Sequence, residues 1–124
     1  MMRRMVLLAV ALATPALAQA PSADAGRRVF ARSCAPCHGQ GPGDDGARML
    51  PGTAALDARY KGSLPAALER RGDLTPDLVR YIVRYGSGAM PMFRKTEISD
   101  AEIDAMTTYL NRASRTPAII APGR

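Results

Sequence analysis

The sequence is poor in the residues from which many binding and stabilising sites are built. It has no Trp, two Cys and a single His among 124 residues, and its aromatic fraction is 5%. Too few ligands remain for a zinc site, which takes four. The basic residues are dispersed and are not interleaved with aromatics, which argues against a nucleic-acid-binding tract. No segment alternates in the manner of a strand, so the chain is predicted to be all-α.

The first residues have the features of a secretory signal peptide. Arg3 and Arg4 form a basic start, residues 5–13 are apolar, and Ala16 and Ala18 give the small-residue order of a cleavage site. An uncleaved membrane anchor is the alternative, and the short apolar run disfavours it. Cleavage takes away two of the 17 basic residues, so the net charge falls from +6 to +4. We expect a protein exported to a bacterial periplasm, with no membrane span after cleavage.

The remaining chain predicts one small domain. Residues 1–18 are assigned to the leader, 19–113 to the domain and 114–124 to a flexible C-terminal tail. Small exported domains usually contain disulfides, but two cysteines separated by two residues close too small a loop to stabilise much. A large apolar cofactor would support such a core instead.

Capping residues indicate where the helices begin. Ser22 is the predicted N-cap of the first helix, Thr75 precedes a proline at the start of another, and Ser99 with Glu102 forms a capping box. Weaker signals predict a cap at Thr53 and a further helix that begins at Ser63 with Pro65 and ends at Gly72.

Both cysteines and the only histidine lie in CAPCH, residues 34–38. The pattern C-x-x-C-H is a signal for covalent attachment of c-type haem. Positions three and four apart share a face of a helix, so Cys34 and Cys37 can add to haem vinyl groups while His38 coordinates the iron. The alternatives are a zinc site, a thioredoxin-like redox site and a small disulfide beside an incidental histidine. Ligand number, the lack of strands and the small loop disfavour them in turn.

The other axial ligand of the iron is predicted to be Met90. A second histidine is absent, and Met/His ligation is typical of electron-transfer cytochromes. Met90 precedes Pro91, which restricts it to an extended conformation. It is therefore preferred to Met92, which is expected to form a wall of the haem crevice. Met49 could line the pocket, and Met106 is expected to fill the core.

At this point the chain resembles the class I cytochromes c. The segments that carry the resemblance are GRRVF at 26–30, CAPCH at 34–38, GSGAMP at 86–91 and MTTYL at 106–110. The resemblance implies a class I cytochrome c fold, in which several short helices surround one covalently attached haem c. It also implies that the last helix crosses the first at Gly26, with Phe30 and Tyr109 at the family's aromatic positions.

The resemblance further implies that a proline carbonyl in the loop after the motif accepts a hydrogen bond from His38. Pro51 is the best-placed match, and Pro42 is the alternative. Residues 74–95 are also similar to small cytochrome subunits of flavoprotein dehydrogenases of the p-cresol methylhydroxylase and vanillyl-alcohol-oxidase-like type.

The function expected from these features is single-electron transfer by a monohaem carrier that is not itself an enzyme. Its donor would be a periplasmic dehydrogenase with a flavin or quinone cofactor, and its acceptor an oxidase or another cytochrome. A tightly held subunit and a diffusing carrier both stay open, and a five-coordinate haem enzyme or gas sensor and a thiol oxidoreductase are the alternatives. The candidate docking residues are Arg27, Arg28, Arg32, Arg94 and Lys95.

Overall fold

The computed structural model describes residues 20–116, which form helices and no strand. The elements are α1 (Ala23–Ser33), α2 (Ala35–His38), α3 (Pro51–Tyr60), a 3-10 turn (Leu68–Arg70), α4 (Pro76–Tyr85) and α5 (Asp100–Arg115). The all-α prediction is confirmed for this range. The predicted leader and residues 117–124 of the predicted tail lie outside it. Among residues 20–116, no helix has the length and hydropathy needed to cross a bilayer.

The three strong capping predictions are confirmed. The side chains of Ser22 and Thr75 each accept a hydrogen bond from the backbone N–H three residues on, at 3.1 and 3.2 Å. Ser99 and Glu102 form both halves of the capping box, with distances of 3.2 Å to Ser99 Oγ and 2.8 Å to Glu102 Oε2. The α4 helix ends at Tyr85 and is capped by Gly86, whose φ of 72° suits glycine. These starts and stops depend only on neighbours along the chain.

The weaker helix predictions are wrong. The α3 helix begins at Pro51, so Thr53 is not its cap; Thr53 is buried and donates to the Gly39 carbonyl at 3.0 Å. The segment from Ser63 to Gly72 forms only the short 3-10 turn. The α5 helix extends to Arg115, two residues past the predicted end of the domain.

The segment from Ser63 to Gly72 does not form the predicted helix because its side chains bind other elements. The backbone is extended on both sides of the 3-10 turn, at Ala67 and Arg71. The Glu69 carboxylate accepts a hydrogen bond from Tyr109 on α5, and the Arg71 guanidinium lies 4.7 Å from the centroid of the Tyr60 ring on α3. Tertiary contacts of this kind override local helix propensity.

The first and last described helices cross in direct backbone contact. A Cβ added at Gly26 would lie 1.9 Å from the Ala105 carbonyl oxygen, so only glycine allows this approach. The ring centroids of Phe30 and Tyr109 are 5.7 Å apart beside the crossing. Both expectations from the resemblance are met. The core around the crossing consists of Val29, Phe30, Cys34, Leu74, Val79, Val83, Ile98, Ile103, Met106 and Leu110.

Candidate haem site

The attachment motif lies on one turn of helix. The N–H of Cys34 donates to the carbonyl of Phe30, and the N–H of His38 donates to that of Cys34, at 2.9 and 2.8 Å. The chain therefore passes from α1 into α2 almost without interruption. Cys34 and Cys37 are both free thiols, the first buried and the second exposed. The motif thus presents two unpaired thiols and an imidazole close together, as its spacing predicted.

The two thiols differ in their surroundings. Cys34 Sγ lies 3.4 Å from Met106 Sδ, which places the thiol against the core-facing side of α5. Burial, followed by the neighbouring Cys37, raises the pKa of Cys34 to about 11. A thiol oxidoreductase needs a cysteine with a lowered pKa. The environment of Cys34 is therefore unsuited to that alternative.

His38 packs against the start of α3. The atom nearest to a Cβ added at Gly52 would be His38 Cε1 at 2.7 Å, so the missing side chain at this position leaves room for the imidazole. Burial lowers the pKa of His38, which favours the neutral form that binds metals. Its Nδ1 is buried and has no hydrogen-bond partner among the described residues. The predicted bond to the Pro51 carbonyl is thus not formed in this structure, although Pro51 begins the adjoining helix.

The second predicted ligand lies on a tightly closed loop after α4. Ser87 and Met90 exchange two backbone hydrogen bonds, at 3.1 and 3.0 Å, and the intervening Gly88 has a φ of 60°. A Cβ at Gly86 would lie 2.6 Å from the Met90 carbonyl oxygen. Gly86 is therefore needed for the loop to close on itself, a role that the sequence did not reveal.

The described methionines differ in burial. Met90 is partly buried and packs against the core cluster that includes Cys34, whereas Met92 is 63% exposed. Met106 is 2% exposed and fills the core, as predicted. Met49 is half-buried in the loop before α3. Met90 is thus the more buried of the two loop methionines, and which of them binds the iron stays a prediction.

Comparison with known proteins identifies the family of this chain. Residues 21–110 match a family model described as cytochrome c oxidase, cbb3-type, subunit III. A cytochrome c6 from Picosynechococcus sp. is 36% identical over 100 residues, which cover 81% of this chain and 79% of the relative. The chain belongs to the cytochrome c family. A solved cytochrome c6 from the diatom Phaeodactylum tricornutum is 26% identical over 75% of this chain and 94% of its own, with a TM-score of 0.45.

Membership of the cytochrome c family establishes one covalently bound haem c per chain and the function of an electron carrier, not an enzyme. The residues present fit that cofactor. Both cysteines are free thiols, and burial lowers the pKa of the His38 imidazole between them and α3, which favours the neutral form that binds a metal. No cluster of three or more His, Cys, Asp or Glu side chains elsewhere in residues 20–116 could hold a different metal.

Three charged residues of this cytochrome make contacts that were not anticipated from the sequence. Glu69 accepts from Tyr109 and, at 3.1 Å, from Gln40 in the loop after the motif. Burial and Glu69 raise the pKa of Tyr109 to about 12. Arg71 is 4% exposed and pairs with a carboxylate two residues on. Arg84 donates hydrogen bonds to two backbone carbonyls that follow Met90 in the chain. A lone charged residue in a polar stretch gives no sequence signal of such burial.

Proposed function

We propose that this cytochrome holds its haem through Cys34, Cys37, His38 and Met90. Each thiol would add across a vinyl group of the haem, with a new sulfur–carbon bond formed and the thiol hydrogen passed to the other vinyl carbon. His38 and Met90 would coordinate the iron, and haem held in this way would supply a one-electron Fe(III)/Fe(II) couple. The observation that carries this proposal is the pairing of a C-x-x-C-H turn with a core-packed methionine on a closed loop.

Other residues of the chain hold His38 and the attachment motif in position for the haem. Burial keeps His38 neutral, and the Gly52 contact restricts its ring. Thr53 ties the end of α2 to α3 through Gly39, which fixes the position of the motif. In the haem-loaded protein we assign the acceptor for His38 Nδ1 to the Pro51 carbonyl, since histidine ligands normally donate their second N–H.

The ligand assignment is tested by comparing Met90→Ala with Met92→Ala. The far-red absorption band of ferric haem with a thioether ligand should be lost in the first variant and kept in the second. Met92→Ala is the matched control because it removes the same side chain two residues away, at an exposed site. Rapid CO binding by the reduced wild-type protein, with no spectral change in Met90→Ala, would instead indicate a five-coordinate haem enzyme or gas sensor.

For the cellular role, we propose an exported carrier that works in the periplasm. It receives single electrons from a dehydrogenase with a flavin or quinone cofactor and passes them to an oxidase or another cytochrome. The signal-peptide pattern supports the location, and the description of the matched family as an oxidase subunit supports the acceptor. No substrate bond is made or broken on this chain.

Docking to these partners is proposed to use basic side chains near the attachment motif. Arg27 and Arg28 on α1 are exposed and form no ion pair within residues 20–116. The other candidates are engaged within the chain: Arg32 pairs with Glu102, Arg94 with Glu97 and Lys95 with Asp100. Arg27 and Arg28 are therefore the better-supported pair.

The form in which the carrier works is tested by gel filtration of a native extract. Co-elution of the haem with a dehydrogenase activity would support a subunit of that enzyme. Elution only as a small monomer would support a diffusing carrier. If Arg27→Gln with Arg28→Gln leaves the salt dependence of electron transfer unchanged, the docking assignment is wrong.

A further inference from the structure

One side chain bridges the beginning and the end of the loop that contains Met90. Arg84 is the next-to-last residue of α4, and its side chain is 15% exposed. Its guanidinium donates to the carbonyls of Phe93 and Ile98, at 3.0 and 2.8 Å. Both carbonyls come after Met90 in the chain, whereas Arg84 comes before it. The loop is therefore closed by a side chain as well as by its own backbone.

Asp100 fixes the orientation of this guanidinium. Arg84 Nη2 lies 2.7 Å from Asp100 Oδ1, and the other oxygen of the carboxylate lies 2.8 Å from Lys95 Nζ. Asp100 is the first residue of α5, so the contact also joins the loop to the helix that crosses α1. A planar guanidinium with three acceptors is held in one orientation.

Both polar groups of the Phe93 backbone are hydrogen-bonded. Its N–H donates to the Val83 carbonyl at 2.8 Å, and its carbonyl accepts from Arg84. Phe93 lies three residues after Met90, and both side chains pack against the core cluster. A shift of Phe93 would therefore pass directly to Met90. Glycines at two positions of the loop make it otherwise easy to deform.

We propose that Arg84 is a positioning residue for the axial ligand Met90. The inference rests on the proposed function, in which Met90 binds the iron. Arg84 holds both sides of the loop in one arrangement, so that little conformational freedom is lost when the thioether binds. Without Arg84, the carbonyls of Phe93 and Ile98 hydrogen-bond to water instead, and the loop gains conformational freedom. A competing ligand then displaces the methionine more easily.

The test is an imidazole titration of the ferric holoprotein, with Arg84→Met compared with Arg80→Met. Arg80 lies one turn earlier on α4 and pairs with Asp104 on α5, but makes no hydrogen bond to the loop. Hydrogen bonds to charged groups typically contribute enough to change an equilibrium about tenfold or more, so Arg84→Met should bind imidazole about tenfold more tightly than wild type. Its far-red band should weaken and its reduction potential should fall. Arg80→Met should match wild type in all three measurements.

The outcomes separate this inference from the ligand assignment. If Met90→Ala keeps the far-red band, the assignment of Met90 fails whatever Arg84 does. If Met90→Ala loses the band and Arg84→Met binds imidazole no more tightly than Arg80→Met, the positioning role is overturned.

A variant that keeps the positive charge covers the case in which Arg84→Met does not yield holoprotein. Arg84→Lys cannot span both carbonyls with a planar fork, so imidazole binding should tighten by about threefold or more. A smaller change overturns the proposal.

Discussion

A single methyl group added at Gly26 should destabilise the protein, although helix propensity predicts the opposite. Alanine is favoured over glycine in a helix interior by about 0.8–1.0 kcal/mol. The new Cβ would, however, lie 1.9 Å from the Ala105 oxygen and 2.4 Å from its carbonyl carbon. These are backbone atoms of α5, which cannot rotate away. The helices would have to separate by about 1.5 Å to restore ordinary contact distances.

The size of the loss follows from the position of the contact. Overpacking a core commonly costs 1–3 kcal/mol. Here the separation also weakens the packing of Phe30 and Met106, which lie in the same interface. We expect Gly26→Ala to lower the free energy of unfolding by about 3 kcal/mol, which corresponds to a fall in Tm of about 12–24 °C for a domain of this size.

Guanidinium chloride unfolding of the holoprotein, followed by far-UV circular dichroism, measures this difference. Gly72→Ala is the matched control, because nothing lies within 4 Å of its added Cβ and its φ is not positive. That control should stabilise the protein by about 0.4–1 kcal/mol by restricting the unfolded chain. If Gly26→Ala unfolds at or above the wild-type midpoint, the backbone contact between α1 and α5 does not limit this position.

Three further outcomes are expected from local contacts. Ser99→Ala removes the capping hydroxyl and should cost about 1 kcal/mol in urea unfolding, whereas Thr96→Ala, at an exposed site, should cost almost nothing. The hydrogen bond from Arg84 is the main cause that lowers the pKa of Asp100 from 3.8 to about 2. Because the folded-state pKa is the lower one, this carboxylate stabilises the protein above about pH 4 and stops doing so as pH falls toward 2; the stability difference between wild type and Asp100→Asn should vanish over that window. Thr53→Val leaves the buried Gly39 carbonyl without its hydroxyl partner and should cost about 1–3 kcal/mol in unfolding, and an unchanged midpoint would show that water replaces the bond.

Helix starts could be predicted from the sequence where the signal was purely local. Ser22, Thr75 and Ser99 cap helices because each hydroxyl bonds an N–H only three residues away. The prediction failed at Thr53 because Pro51 starts α3 two residues earlier and the threonine is used in a contact between helices. A capping residue shows that a bond is possible, and the packing decides which bond is made.

The residues of the candidate site also divide into those predictable from the local sequence and those whose contacts depend on the fold. Cys34, Cys37 and His38 are predictable because the spacing of a single helical turn brings them together. The preference for Met90 as a ligand followed from the proline after it and stays a prediction. The contacts of Arg84 could not be predicted, because its partners lie 9 to 16 residues further along the chain and two of them are backbone carbonyls. Backbone acceptors leave no mark on the sequence.

The contact between Gly26 and Ala105 also bears on how this domain can vary in length. It closes a loop of about 80 residues, and the entropy of closing a loop grows only with the logarithm of its length. Ten residues inserted in the glycine-rich turn before α3 would therefore add only about 0.1 kcal/mol to the closure cost. An insertion in that turn is therefore expected to cost the helix crossing little, whereas a methyl group added at Gly26 is expected to cost about 3 kcal/mol. The stability of this fold is thus expected to depend little on the length of that turn and strongly on the side-chain volume at position 26.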